Sequence, residues 1–129
     1  MAYPKVLAFL LCESAIRGSD GKVSLRGLFD RIIVPRSPAN PKLFFVFYKV
    51  VVEEPCTVSL RVIDPSQGQI QGNWRDSLSQ PGPVQSIWAV TTALFSQPGQ
   101  YVLELREETK DSEALSLASM LLVVNEEGG

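Results

Sequence analysis

Catalysis in this chain of 129 residues would have to begin from two cysteines and 14 Asp plus Glu, because there is no histidine. Without an imidazole no Ser-His-Asp or Cys-His pair can form, and every histidine-bearing metal site is excluded. The aspartates Asp20, Asp30, Asp64, Asp76 and Asp111 are scattered singly, so the clustered ligands of a calcium loop are missing. There is no C-x-x-C, no Walker loop and no G-x-G-x-x-G between a strand and a helix; the nearest glycine-rich piece, Gly68-Gln69-Ile70-Gln71-Gly72, lacks both flanks. Cys12 has Glu13 beside it, and an adjacent carboxylate makes a thiol less reactive. One catalytic route stays open: carboxylates such as Glu13 and Asp30, brought about 5 to 10 Å apart in one cleft, could work as an acid and base pair. The expectation is a protein with no catalytic residue, no cofactor and no metal.

Residues suited to binding are easier to find. The polar stretch from Asp64 to Pro83 (DPSQGQIQGNWRDSLSQPGP) holds Trp74 next to Arg75. Long irregular connections are often functional, and Trp and Arg are enriched at binding hot spots, so these two are the candidate partner contacts. The competing structural role is a short edge strand over Gln69 to Trp74 with the indole closing one end of the core. Trp88 and Tyr48 join Trp74 as aromatic platforms if the ligand is a small molecule or a carbohydrate. The turn Pro98-Gly99 followed by Tyr101 has a structural signature: a tyrosine at the start of a strand can return its hydroxyl to the backbone, as the tyrosine corner of sandwich domains does. Lys22, which follows a turn, points to water, whereas Asp30 and Arg31 sit where the strand alternation shifts, so one of them could be drawn to the buried side and paired; a structural ion pair or a turn-capping role is expected of them rather than catalysis.

The elements that would position these residues read as strands. Val6 to Cys12 is apolar on both alternations, the pattern of a central strand. Gly18-Ser19-Asp20-Gly21 is a hairpin signal, and Val23 to Phe29 follows with a break in alternation at Gly27, where a bulge or close backbone contact is expected. Leu43 to Val52 (LFFVFYKVVV) is the most β-prone run, apolar on both faces apart from Lys49. Cys56 to Ile63 and Tyr101 to Glu108 alternate cleanly, and Pro83 to Phe95 places Trp88, Val90 and Leu94 on one face. Leu115 to Val124 is the last strand, because its apolar residues leave no polar face for an amphipathic helix. Residues 1–129 thus form one all-β domain: an antiparallel two-sheet sandwich, immunoglobulin-like, with about seven or eight strands.

Pro4, Leu11-Cys12-Glu13, the segment from Gly21 to Ile32 (GKVSLRGLFDRI), Pro35, Val62-Ile63-Asp64-Pro65 and Pro98-Gly99-x-Tyr101 together resemble a family of small bacterial proteins of unknown function. The resemblance spans nearly the whole chain, and its G-K-x-S-L-x-G-x-F-D core is distinctive. It implies a bacterial, stand-alone, cytoplasmic β-sandwich, and it brings no catalytic residue with it.

Charge and targeting point the same way. The net charge of −2 comes from interspersed signs, which is no footprint for nucleic acid or an anionic membrane. Val6 to Cys12 lacks the basic segment and cleavage site of a signal peptide and is too short to span a bilayer, so a cytoplasmic location with both thiols reduced is expected. The functional expectation is a non-catalytic module that binds a protein partner or associates with itself as a homodimer. A sandwich that binds a small ligand or carbohydrate through exposed aromatics is the alternative.

Overall fold

The computed structural model describes residues 4–34, 42–64, 66, 68–70, 72–95, 97–108 and 115–126. Among the described residues ten strands run in chain order: β1 (Lys5–Arg17), β2 (Val23–Leu28), β3 (Arg31–Val34), β4 (Leu43–Val52), β5 (Cys56–Asp64), β6 (Gly68–Ile70), β7 (Arg75–Leu78), β8 (Gly82–Thr91), β9 (Gly99–Glu108) and β10 (Leu115–Glu126). They form two sheets, ordered β2-β1-β4-β8 and β3-β10-β9-β5-β6, with β7 also bonded to β5. The all-β sandwich read from alternation is the architecture found. The strand count exceeds the expectation because β3, β6 and β7 are only three or four residues long, too short to show a period. One pairing is parallel, β3 with β10, where antiparallel neighbours were expected throughout. A strand that arrives by crossing between sheets, as β3 does after Phe29 and Asp30, is not held antiparallel by a hairpin turn.

The core lies between the sheets. From β4 come Phe44, Val46, Tyr48 and Val50, from β5 Val58, Leu60 and Val62, and from β9 Tyr101, Leu103 and Leu105, all buried and all two residues apart. That spacing is the strand period, so each of these strands turns one face to the core. Burying a side chain of this kind stabilises the fold by roughly 1.5–3 kcal/mol. The Leu115–Val124 segment is strand, and β10 pairs with β9 from Leu115 opposite Glu107 to Val124 opposite Gly99. Past Thr91, β8 gives way to a single 3-10 turn, Thr92–Leu94, so the run expected to reach Phe95 as strand is shorter.

The outer faces of the two sheets differ in kind. On the second sheet the outward positions hold Arg61, Glu104 and Arg106, with Arg106 Nε 3.3 Å from Glu104 and Arg61 4.0 Å from the same oxygen, and an Arg75–Glu108 pair at the margin. The first sheet instead turns Leu10, Cys12, Phe45 and Phe47 outward, opposite in alternation to Leu11, Val46 and Tyr48. Yet Cys12 is fully buried and Phe47 is 7% exposed. The cover is the protein's own hairpin. Gln85 lies level with Lys49, and Lys49 with Ala8, so the β1–β2 tip should sit well away from Gln85 in a flat sheet. Instead Arg17 Nη2 donates to Gln85 O at 3.3 Å and Gln85 Nε2 donates to Gly21 O at 3.3 Å. The distal half of the hairpin therefore folds back across the outer face of its own sheet.

Candidate functional site

The fold-back begins where β1 and β2 come together at Glu13 and Gly27. Gly27 has φ +67°, a conformation that side-chain-bearing residues rarely adopt, and a Cβ there would meet Glu13 Oε2 at 2.7 Å. The break in alternation at Gly27 is thus a positive-φ position with the Glu13 side chain laid against it; the β1–β2 ladder runs through without a register shift, so the bulge or close backbone contact expected there is not what the strands form. Immediately after it, Phe29 N donates to Leu11 O at 3.2 Å, and Val123 N donates to Asp30 O at 2.9 Å. These two bonds tie the crossing segment to both sheets and open a cleft beside it.

That cleft, about 500 Å³, is the candidate site. Phe29, Ile32 and Phe44 supply its apolar surface, with the Phe29 and Phe44 rings edge to face at 5.5 Å. Ile33 and Leu43, 66% and 59% exposed, stand at its margin. Polar groups come from Glu13, Arg31, Lys42 and Thr92; the last is already engaged, its Oγ1 accepting from Lys42 N at 2.9 Å. Among the described residues neither Arg31 nor Lys42 makes an ion pair. The expectation that Asp30 or Arg31 turns inward fails, because the crossing segment runs along the open side of the sandwich and leaves both exposed. Arg31 lines the cleft and Asp30 does not, so among the described residues Glu13 is the one carboxylate in its lining. What this geometry offers is an apolar groove flanked by charge, suited to binding.

The other sequence candidates lie elsewhere. Trp74 sits between β6 and β7, half-buried, with Nε1 donating to Ala89 O at 3.0 Å and its own carbonyl accepting from Leu60 N at 3.0 Å. Its ring lies over Gly72, where a Cβ would come within 2.0 Å of it. Arg75, next to it, is exposed and pairs with Glu108. Tyr101 Oη donates to Gln97 O at 2.6 Å across the turn holding Pro98 and Gly99, the return bond expected of a tyrosine corner. Of the three aromatic platforms, Tyr48 is fully buried and Trp88 is 7% exposed, so stacking from solvent is left to Trp74. Tyr48 and Trp88 pack on each other at 4.6 Å, and Tyr48 Oη donates to Asp76 Oδ2 at 2.5 Å.

Two charged residues were not among the site candidates, although the strand periods contain them. Glu107 continues the inward series Tyr101, Leu103, Leu105 and is 8% exposed, with no hydrogen-bond partner at Oε2 among the described residues. Burial first, and then the nearby Glu54, raise its carboxyl above the ordinary value, and Glu107 in turn adds to the burial that raises the Cys56 thiol. Lys49 is the other, the one charge in β4. Cys12 and Cys56 are both free thiols. Among the described residues no three acidic or cysteine side chains group as a metal would require, and no helix is long and apolar enough to cross a membrane.

Comparison with known proteins agrees with this architecture. Among solved structures, the crystal structure of the C-terminal domain of Wzt superposes with a TM-score of 0.54 over 95% of this chain and 73% of that one, at 13% identity. At that identity the likeness is one of fold. Among curated proteins none matches the chain. A family model, described as a family of unknown function (DUF6941), matches residues 7–118, which include all but the first two residues of β1, the strands β2 to β9, the cleft and the start of β10. The chain therefore belongs to that family of unknown function.

Proposed function

We propose that this protein is a non-catalytic interaction module that receives an extended protein segment, from a partner or from a second copy, in the cleft beside β3. One observation supports the reading above others: the cleft is bounded by an outermost strand. β3 is bonded to β10 alone among the described strands, and it presents Ile33 outward beside an apolar floor. An edge strand offers unpaired backbone groups, and strand addition is a common way for such an edge to bind a peptide. The floor of Phe29, Ile32 and Phe44 would take an apolar side chain of the segment, and Arg31 and Lys42 would favour acidic neighbours.

The test pairs light scattering with peptide selection on the purified chain, in parallel with Ile33→Asp and Leu43→Asp. A dimer that dissociates in both variants assigns the segment to a second copy. Selected apolar peptides that bind the parent chain and lose about tenfold in affinity to each variant assign it to a partner. A chain that is monomeric and selects no peptide, or peptides indifferent to both substitutions, would rule the cleft out as a protein-binding site. The small-ligand alternative draws on the cleft volume of about 500 Å³, within the range of ligand pockets.

A further inference from the structure

A second cleft has a different chemistry. It lies between the tip of the β1–β2 hairpin and the outer face of the first sheet, about 430 Å³ in volume, lined by Arg17, Gly21, Lys49, Pro83, Val84 and Gln85. We propose that this cleft binds the phosphate group of a small molecule, held between Arg17 and Lys49, independently of what occupies the cleft beside β3.

The argument starts in β4. Lys49 is the single charge in ten residues of otherwise aromatic and aliphatic strand, and it is half-buried. A lysine in such a place normally has a carboxylate partner or snorkels into water. Lys49 has no carboxylate within 4.0 Å among the described residues, and the folded-back hairpin brings a second cation, Arg17, over the same face. Lys5 joins them on that face, level with Val51 one inter-strand row further along. In a chain of net charge −2 with 14 acidic residues, a cleft lined by two cations and, among the described residues, no acid is an unbalanced site, because like charges brought together repel. An oxyanion placed between them relieves that repulsion.

The number of charges selects among oxyanions. A phosphate monoester carries about −1.5 to −2 at neutral pH and three acceptor oxygens, which matches two cations, whereas a carboxylate leaves one unmatched. The donors are suitably placed. Arg17 spends one arm of its guanidinium on Gln85 O, which fixes the side chain over the cleft and leaves other N–H groups of the fork to donate. Lys49 approaches from the strand beneath. Sequence alternation exposes Lys49 as an anomaly; only the fold-back supplies its partner.

The experiment is an NMR titration of the full chain with inorganic phosphate, pyrophosphate and acetate at matched ionic strength. Saturable shifts at the amides of Arg17, Gly21, Lys49 and Gln85 are expected with phosphate and pyrophosphate and not with acetate. Lys49→Gln and Arg17→Gln should each weaken phosphate binding about tenfold or more. Lys49→Arg should retain it, which separates a charge effect from misfolding of the strand, and Lys42→Gln in the other cleft should leave it unchanged. Absence of saturation, shifts centred on Arg31 and Lys42, or a folded Arg17→Gln or Lys49→Gln variant that binds like the parent would each overturn the proposal.

Discussion

At the scale of single residues, the informative positions are those that break their strand's pattern. Gly27 breaks it for geometry: its positive φ is one that side-chain-bearing residues rarely adopt, and the Glu13 side chain lies against it. Glu107 breaks it for electrostatics. Its carboxyl is raised by burial and by Glu54, so the folded protein holds this proton to higher pH than the unfolded chain does. Where the folded state binds more protons, stability falls as pH rises. The loss therefore begins near the ordinary carboxyl value and is complete once pH has passed the raised one. Glu107→Gln, which keeps the shape and removes the titration, should be more stable than the parent at neutral pH and less pH-dependent across that interval. Thermal melts from pH 4 to 8 read this directly, and parallel curves for the two proteins would show that Glu107 ionises at no cost. Alternation from Tyr101 places Glu107 inside, so its burial was legible in the sequence. Its missing partner was not, because partners come from other strands.

Among the elements, β6 and β7 show how a short edge strand is decided by packing. Neither is long enough to display a period, and both are held against β5, with Trp74 in the gap between them. The indole bridges the sheets at this side: its strand neighbours belong to the second sheet, and its N–H bonds Ala89 O on β8 of the first. Truncation of a large core side chain costs about 3–5 kcal/mol, and for a half-buried one about 2–3 kcal/mol is expected. Urea unfolding of Trp74→Ala should show that loss. A binding anchor with no structural part would leave the unfolding midpoint unmoved and lower affinity only. The sequence offered Trp74 both roles, as partner contact and as cover for the core, since composition alone does not say on which side of a loop an indole lies.

For the molecule as a whole, one sandwich contains both cysteines without joining them. Cys12 faces outward from the first sheet under the folded hairpin, and Cys56 is half-buried in the second sheet. Burial raises both thiols, which slows their oxidation. Unfolding midpoints with and without reductant should therefore coincide, and a thiol titration in denaturant should find two free groups; a midpoint that falls in reductant would point to a disulfide. The asymmetry of the two outer faces also belongs to this scale. Charged ladders cover the second sheet, while the first sheet buries Phe47 and Cys12 under its own hairpin. What the sequence by itself determined was the all-β class, the inward sets of the alternating strands β5, β8 and β9, the turn at Tyr101 and the special backbone position at Gly27. These depend on the two-residue strand period and on local backbone sterics, which neighbours in sequence already express. Tertiary structure alone decided the parallel partner of β3, the fold-back of the hairpin and the two clefts it leaves. Each of these joins residues far apart in the chain, such as Arg17 with Gln85 and Arg31 with Lys42, and no local period encodes which distant strands meet.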